Sequence, residues 1–148
     1  MKTRLISLII LGLLASQSGA ADLNVAVESV RSGKGQVKLM LFEREEGFRK
    51  EDQALQVMAL PAKAGSVISA FRDLKPGRYA LIAYHDENAN DKLDLRFGMF
   101  PKEGYGLSNN YVPSGPPKFK AAAIDVPNTG ASSVIRLALG RPAPARRM

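Results

Sequence analysis

The sequence predicts an all-β chain: a single antiparallel β-sandwich of about seven short strands, with one long polar loop over residues 86–117. Three observations carry this. Short segments alternate apolar with polar or small residues, the two-residue period of a half-buried strand. Thirteen glycines and nine prolines punctuate them at turn spacing. No stretch of the body shows a sustained helical period. The length of 148 residues fits one domain.

Leu23-Asn-Val25-Ala-Val27-Glu28 reads as the first strand and Gln36–Phe42 as the second. Ser32-Gly33-Lys34-Gly35 supplies a tight turn between them, so residues 23–42 are expected to form a hairpin. The charged stretch Glu43–Asp52 reads as a loop or one helical turn with Phe48 tucked beneath it. Ala54–Leu60 and Ser66–Phe71 are strand-like, separated by Pro61–Gly65. Arg78–His85 is the most apolar strand and the expected centre of the sandwich. Lys120–Val126 and Ser133–Leu139 complete the set. Phe42, Phe48, Phe71 and Phe119 are expected in the core.

The ends differ from the body. Met1-Lys2-Thr3-Arg4 carries two positive charges, Leu5–Leu14 is a short apolar run, and Ser18-Gly19-Ala20 offers small residues for a signal peptidase. The apolar run is about half the roughly 20 residues of a membrane span. Residues 1–20 therefore read as a cleaved signal peptide, and the protein as periplasmic or secreted, with no transmembrane anchor. No cysteine follows the apolar region, so a lipidated anchor is excluded. Residues 21–140 form the sandwich domain and 141–148 a basic, Pro/Ala-rich tail. Of the formal charge of +7, the leader and this tail supply all but a small excess. Basic residues in the body are scattered, which argues against a nucleic-acid partner.

The absence of cysteine rules out disulfides, thiolate metal sites and cysteine nucleophiles, and a single histidine rules out a multi-histidine zinc site. Asp86, Asn88, Asn90 and Asp94 stand at relative positions 1, 3, 5 and 9, the spacing by which a coiled loop gathers oxygen ligands for Ca²⁺, with the Lys92 carbonyl at position 7. Position 6, normally glycine, is Asp91, and position 12, normally a bidentate glutamate, is Phe97. The expectation is a weak Ca²⁺ loop, strengthened if Glu103 reaches in from the following segment. The competing reading is that these side chains only bend the loop through Asx-turns. His85 beside Asp86 suggests a general base, but neighbours along a strand point to opposite faces. A histidine bonded to the loop is the better reading. No convincing nucleophile stands beside His85 and Asp86, although Ser108 lies in a polar loop; an enzyme would need a concave site joining His85 to Glu103 or Ser108. Tyr105, Asn109, Asn110 and Tyr111 offer an amide-and-aromatic surface of the kind that contacts carbohydrate or peptide, or else a packed loop covering the sandwich end.

One turn has a mechanism of its own. In Leu74-Lys-Pro76-Gly77-Arg-Tyr79, Pro76 and Gly77 preset the corner and Tyr79 is placed to bond back to the backbone, a tyrosine corner. The pattern resembles that of prealbumin-like and collagen-adhesin B-type sandwich modules and implies an immunoglobulin-like arrangement. A longer match starts here: Gly77-Arg-Tyr79-Ala80, His85-Asp86-Glu87-Asn88-Ala-Asn90-Asp-Lys-Leu93-Asp94, Gly98, Pro101-Lys102-Glu103-Gly104-Tyr105-Gly106-Leu107-Ser108-Asn109-Asn110 and Pro117-Lys-Phe119. Together these resemble the DUF2141 family of exported bacterial proteins. The chain departs from the family pattern at Asp91, where glycine is usual, and at Phe100, interposed before Pro101. The resemblance implies export and a β-sandwich and supplies no activity. The function expected is thus a non-enzymatic exported module that binds a protein or carbohydrate ligand or serves the envelope. The alternative is a hydrolase-like enzyme built on His85 and the loop carboxylates.

Overall fold

The computed structural model describes residues 19–139. Ten strands and one short helix follow in order: β1 (Ala21–Val30), β2 (Gln36–Phe42), β3 (Gln56–Pro61), β4 (Gly65–Leu74), β5 (Gly77–Asp86), β6 (Leu95–Arg96), β7 (Phe100–Pro101), β8 (Tyr105–Leu107), α1 (Phe119–Ala122), β9 (Ile124–Val126) and β10 (Ala131–Arg136). One sheet has the order β10-β1-β4; the other runs β3-β2-β5-β8, with β9 also paired to β5. The expected leader falls outside the described residues apart from its last two, and the basic tail falls wholly outside them. Among the described residues, no helix is long and apolar enough to cross a membrane.

The alternation read from the sequence sets the inner faces. Leu23, Val25 and Val27 of β1 meet Val37, Leu39 and Leu41 of β2 across the sandwich, with Phe71, Leu81 and Ile135 in the same buried cluster. Burial of this apolar surface supplies most of the driving force. β5 is buried almost throughout, from Tyr79 to Asp86, because it is covered on both faces. Its inner face joins the inter-sheet core. Its outer face carries Ala80, Ile82 and Tyr84 into a second cluster with Met40, Phe42, Phe48 and Leu107. Phe48 lies edge-on to Phe42 at 5.1 Å and to Phe119 at 5.8 Å. The four expected core phenylalanines are therefore packed, but three of them lie outside the sandwich proper. Double coverage explains why β2 and β5 read as near-continuous apolar runs.

The expected hairpin over residues 23–42 does not form. β1 pairs antiparallel with β4 and parallel with β10, whereas β2 pairs with β3 and β5. The turn arches from one sheet to the other, because the odd-numbered apolar residues of both strands then face one core from opposite sides. Gly35 permits the arch: its φ is +66°, and a Cβ there would overlap the Asp86 carbonyl. Two further expectations shift. The segment expected as a strand from Lys120 opens instead as α1, with Phe119 and Ala122 on one helical face against the outer cluster, and only Ile124–Val126 pairs. The last strand ends at Arg136, beyond which Ala138 bridges to Tyr105 and ties the two sheets at one corner.

The turn into β5 forms as expected. Tyr79 is 4% exposed, and its hydroxyl donates to the Lys75 carbonyl at 2.6 Å. The residues between β5 and α1 are not one open loop: they contain the β6–β7 ribbon, strand β8 and a 3₁₀ turn at Ser108–Asn110.

Candidate functional site

The polar residues singled out in the sequence gather where β5 ends, but they divide into separate groups. β5 delivers His85 to the inner face and Asp86 to the outer one, as the pleat requires. His85 is buried, its Nε2 is 2.7 Å from the Lys34 carbonyl, and its Nδ1 stands 3.6 Å from a Glu87 carboxylate oxygen. Asp86, fully buried, accepts hydrogen bonds from the Asn90 and Asp91 backbone N–H groups and from the Gln36 side chain at 3.0 Å.

The loop after Asp86 coils as an oxygen-collecting loop should. Asn88 accepts from the Asn90 N–H, and Asn90 from the Lys92 N–H. Asp91 takes φ +61°, so the position where glycine is usual has the left-handed backbone that glycine favours. Asp94 accepts from the side-chain amides of Asn88 at 2.8 Å and Asn90 at 3.1 Å. Those two bonds hold the Asp94 carboxyl below its usual value. Glu103 does reach in. Its two oxygens accept from the Glu87 and Asp94 N–H groups, at 3.2 and 3.1 Å. Burial pushes its pKa up, and the nearby Asp86 and Asp94 carboxylates add to that against the two backbone bonds.

The donor set, hard oxygens from carboxylates and amides, suits Ca²⁺. Two features of the geometry count against a preformed cage. Among the described residues no three His, Cys, Asp or Glu side chains converge as a metal site. In addition, Asn88 and Asn90 present amide nitrogens, not oxygens, to Asp94, so an ion would have to turn both amides.

Two residues that the sequence reading missed, Gln36 and Lys38, anchor this loop, and a third, Glu51, holds Lys38 from the other side. Gln36 bonds Asp91 at 2.8 Å as well as Asp86. Lys38 is 5% exposed, and its ammonium meets Glu51 at 2.8 Å and Asp91 at 3.5 Å, tying two excursions to β2. Burial pulls the Lys38 ammonium down, but the Glu51 bond and the neighbouring Tyr84, Glu51 and Asp91 outweigh it and leave it raised. Burial also pushes the Tyr84 phenol up to about 12, against the pull of Lys38. The available signal was a lone cation inside the apolar run Val37–Phe42.

Ser108, Asn109 and Asn110 work on backbone. Ser108 is fully buried and bonds the Leu81 N–H at 2.9 Å and the Ala122 carbonyl. It meets β5 four residues from His85, about 13 Å away at ~3.3 Å per residue, so the two do not form a pair. Asn109 donates to the Ala123 carbonyl at 2.9 Å. Asn110 clamps the edge of β10, donating to the Val134 carbonyl and accepting from the Arg136 N–H.

Two shallow concavities open at this end. One of about 210 Å³ is lined by His85, Arg31, Gly104 and Leu137. The other, about 180 Å³, is lined by Tyr105, Asn110, Tyr111 and Arg136. The structure thus brings Tyr105, Asn110 and Tyr111 together, with Asn109 turned to α1. Burial raises the Tyr105 phenol, and Tyr111 adds to it.

No curated protein and no solved structure matches this chain. A family model does, over residues 25–134, which takes in both sheets and the whole 86–111 region; its description is an uncharacterized protein conserved in bacteria. With the match running from the first strand to the last, the chain belongs to the DUF2141 family.

Proposed function

We propose that the protein is an exported β-sandwich module that acts by binding rather than catalysis, in the envelope or on its surface, with the 86–111 region as its working end and Ca²⁺ as a weak organiser of that end. The observation that carries this reading is the reach of Glu103 into the 86–94 loop, where it joins Asp86, Asn88, Asn90 and Asp94 on one short coil. A bound ion would exchange backbone N–H partners for metal on those oxygens and stiffen the segment that follows. The tyrosines around the second concavity supply the flat, rigid surface that a protein or carbohydrate ligand uses.

Lacking the twelfth-position glutamate, the loop belongs with weak extracellular sites, at Kd about 10⁻⁴–10⁻³ M. At about 10 mM Ca²⁺ and a Kd of about 1 mM, linkage contributes about 1.4 kcal/mol. That corresponds to a Tm rise of a few degrees for a domain of this size. Mg²⁺ should do less, since it demands a tighter octahedron. Paired thermal melts in EDTA and Ca²⁺ test this, with Asp86→Asn/Asp94→Asn as the variant expected to lose the shift. An unchanged Tm would reduce the loop to Asx-turn structure. Export is tested by intact mass, expected to place the first residue at Ala21 or Asp22.

One observation favours the hydrolase alternative: the His85–Glu87 approach beside the larger concavity. On that reading, His85→Ala abolishes turnover of an ester or peptide panel. Absence of turnover in the wild type ends it.

A further inference from the structure

The sandwich does not treat its strand edges alike. β10 is clamped by the Asn110 side chain, which bonds the Val134 carbonyl and the Arg136 N–H. β8 is closed by Ala138, which exchanges both backbone bonds with Tyr105. β3 is six residues long and ends in Pro61, which has no N–H to offer. β4 is ten residues long and pairs with β1 alone. Among the described residues, no backbone bond reaches the other side of Gly65–Phe71.

An open row of N–H and C=O groups templates a further strand, and edges are ordinarily guarded against this by charges, proline or a bulge. Gly65-Ser66-Val67-Ile68-Ser69-Ala70-Phe71 contains neither charge nor proline. From Ser66 to Phe71 its register with β1 is unbroken. Ile68, at the middle, is 77% exposed. On that outer face it continues an apolar row, Val134–Ala26–Ile68, across all the strands of the sheet. The row stops at the open edge.

The segment is complementary to itself. In an antiparallel pair with a two-fold axis at Ile68, each Ile68 meets the other, Ser66 meets Ala70, and Val67 meets Ser69. Inner residues then stay with inner ones and outer with outer. The same register carries Lys63 of each copy toward Asp73 of the other. Both are exposed, and among the described residues neither has an ion partner, whereas the neighbouring Arg72 is taken by Asp22 at 2.6 Å. Moving the axis to Ser69 would bring Lys63 toward Lys75, and moving it to Val67 would set Lys63 against Phe71. Opposed unlike charges stabilise a strand pair and like charges weaken it, so charge selects the register centred on Ile68.

We propose that β4 pairs antiparallel with β4 of a second copy of the chain, centred on Ile68, and so joins two three-stranded sheets into one continuous sheet. The inference goes beyond the binding reading: it uses the edge of the sheet opposite β10 and requires neither Ca²⁺ nor the 86–111 region. One strand pair is small against the roughly 1,600 Å² of a standard interface, so the dimer is weak and concentration-dependent.

Sedimentation velocity of the full mature chain shows monomer giving way to dimer as concentration rises. Ile68→Lys sets two ammonium groups face to face at the axis and raises the dimer Kd at least about tenfold. Val134→Lys, on the far strand of the same sheet, leaves the Kd unchanged. Lys63→Glu weakens the dimer about threefold, and adding Asp73→Asn to it recovers part of the loss. The chain has no cysteine, so a nitroxide on Ile68→Cys or Val134→Cys is the sole label. In the dimer the label at 68 faces its copy across one strand spacing of about 4.8 Å and its spectrum broadens strongly. The label at 134 is five spacings from its copy, roughly 24 Å, and its spectrum does not. A wild type that stays monomeric to millimolar concentration would overturn the proposal and leave the edge open to a foreign strand. So would a dimer that Ile68→Lys leaves intact, which would place the contact on another surface such as β3. A dimer lost equally in Val134→Lys, or broadening at 134 that matches 68, would also overturn it, since the sheets would then stack by their faces.

Discussion

Between the sheets, Leu23, Val25, Val37, Leu39 and Leu81 are held by exclusion from water, whereas the 86–103 loop is held by Asp86 and Glu103, each accepting two backbone N–H bonds. The backbones differ in the same sense. Of the eight non-glycine residues described at positive φ, five lie between Ala89 and Asn110. Apolar burial is non-directional and indifferent to pH, so it leaves β-strand geometry relaxed. A loop with little apolar surface must instead be fixed by directed bonds, and those bonds impose turns that side chains tolerate poorly. The difference teaches where the molecule is adjustable: protons compete with the backbone N–H groups for the carboxylate oxygens of the loop and have little to act on in the apolar core.

The contrast is tested most severely at the corner residue of the core. Tyr79→Ala is expected to cost about 3–5 kcal/mol, as aromatic truncation in a packed interior does. Tyr79→Phe keeps the packing and removes the bond to Lys75, for a loss of about 1–1.5 kcal/mol. Denaturant melts of the phenylalanine variant that overlay the wild type would mean that the hydroxyl contributes nothing to the corner.

A middle-sized effect is expected from pH. Glu103 has a raised folded pKa, so its contribution is complete below the unfolded glutamate value of about 4.3 and is lost as pH rises through the folded one. Asp94 is shifted the other way. Its contribution is present above the unfolded aspartate value of about 3.9 and is lost as pH falls through the depressed one. The loop should therefore be most protected in mildly acid solution, and hydrogen exchange of the Glu87 and Asp94 amides measures it. In Glu103→Gln the decline on the alkaline side should disappear while the acid decline remains. Core amides should follow neither limb; if they track the loop, the two regions open together and the comparison fails.

The smallest effect probes backbone strain. Ala89 sits at φ +55° in the loop. Ala89→Gly relieves that cost but frees the unfolded chain, for a net gain of a few tenths of a kcal/mol. A loss of stability there would mean that the Ala89 methyl makes contacts that outweigh the strain.

Much of this was legible in the residue order because its causes are local. The two-residue alternation in β1 follows from the pleat, the Pro76–Gly77 corner from fixed φ, and the spacing of Asp86, Asn88, Asn90 and Asp94 from the coil that such side chains favour. The coverage of Glu103 by the loop was anticipated only as a condition, since nothing in its own neighbourhood dictates where a carboxylate nine residues beyond Asp94 will point. His85 and Asp86 were correctly separated by the pleat. The roles of Gln36 and Lys38 were not legible, because their partners Asp86 and Asp91 are brought in by strand pairing across some fifty residues, and that of Glu51 depends on a turn folding back onto Lys38.

By itself, then, the sequence determined the strand-rich class, the inner faces of β1 and β2, the tyrosine corner and the composition of the loop, all consequences of sterics and hydrophobic period within a few residues. Tertiary structure alone decided that residues 23–42 arch between sheets instead of closing a hairpin, that β1 lies parallel to β10, and that a second apolar cluster covers the outer face of β5. Only it sends Asn110 to clamp the β10 edge and leaves Phe97 and Met99 in solvent. These outcomes turn on which of several compatible apolar faces meet, and that choice is made by the summed burial of the whole chain, which no single segment carries.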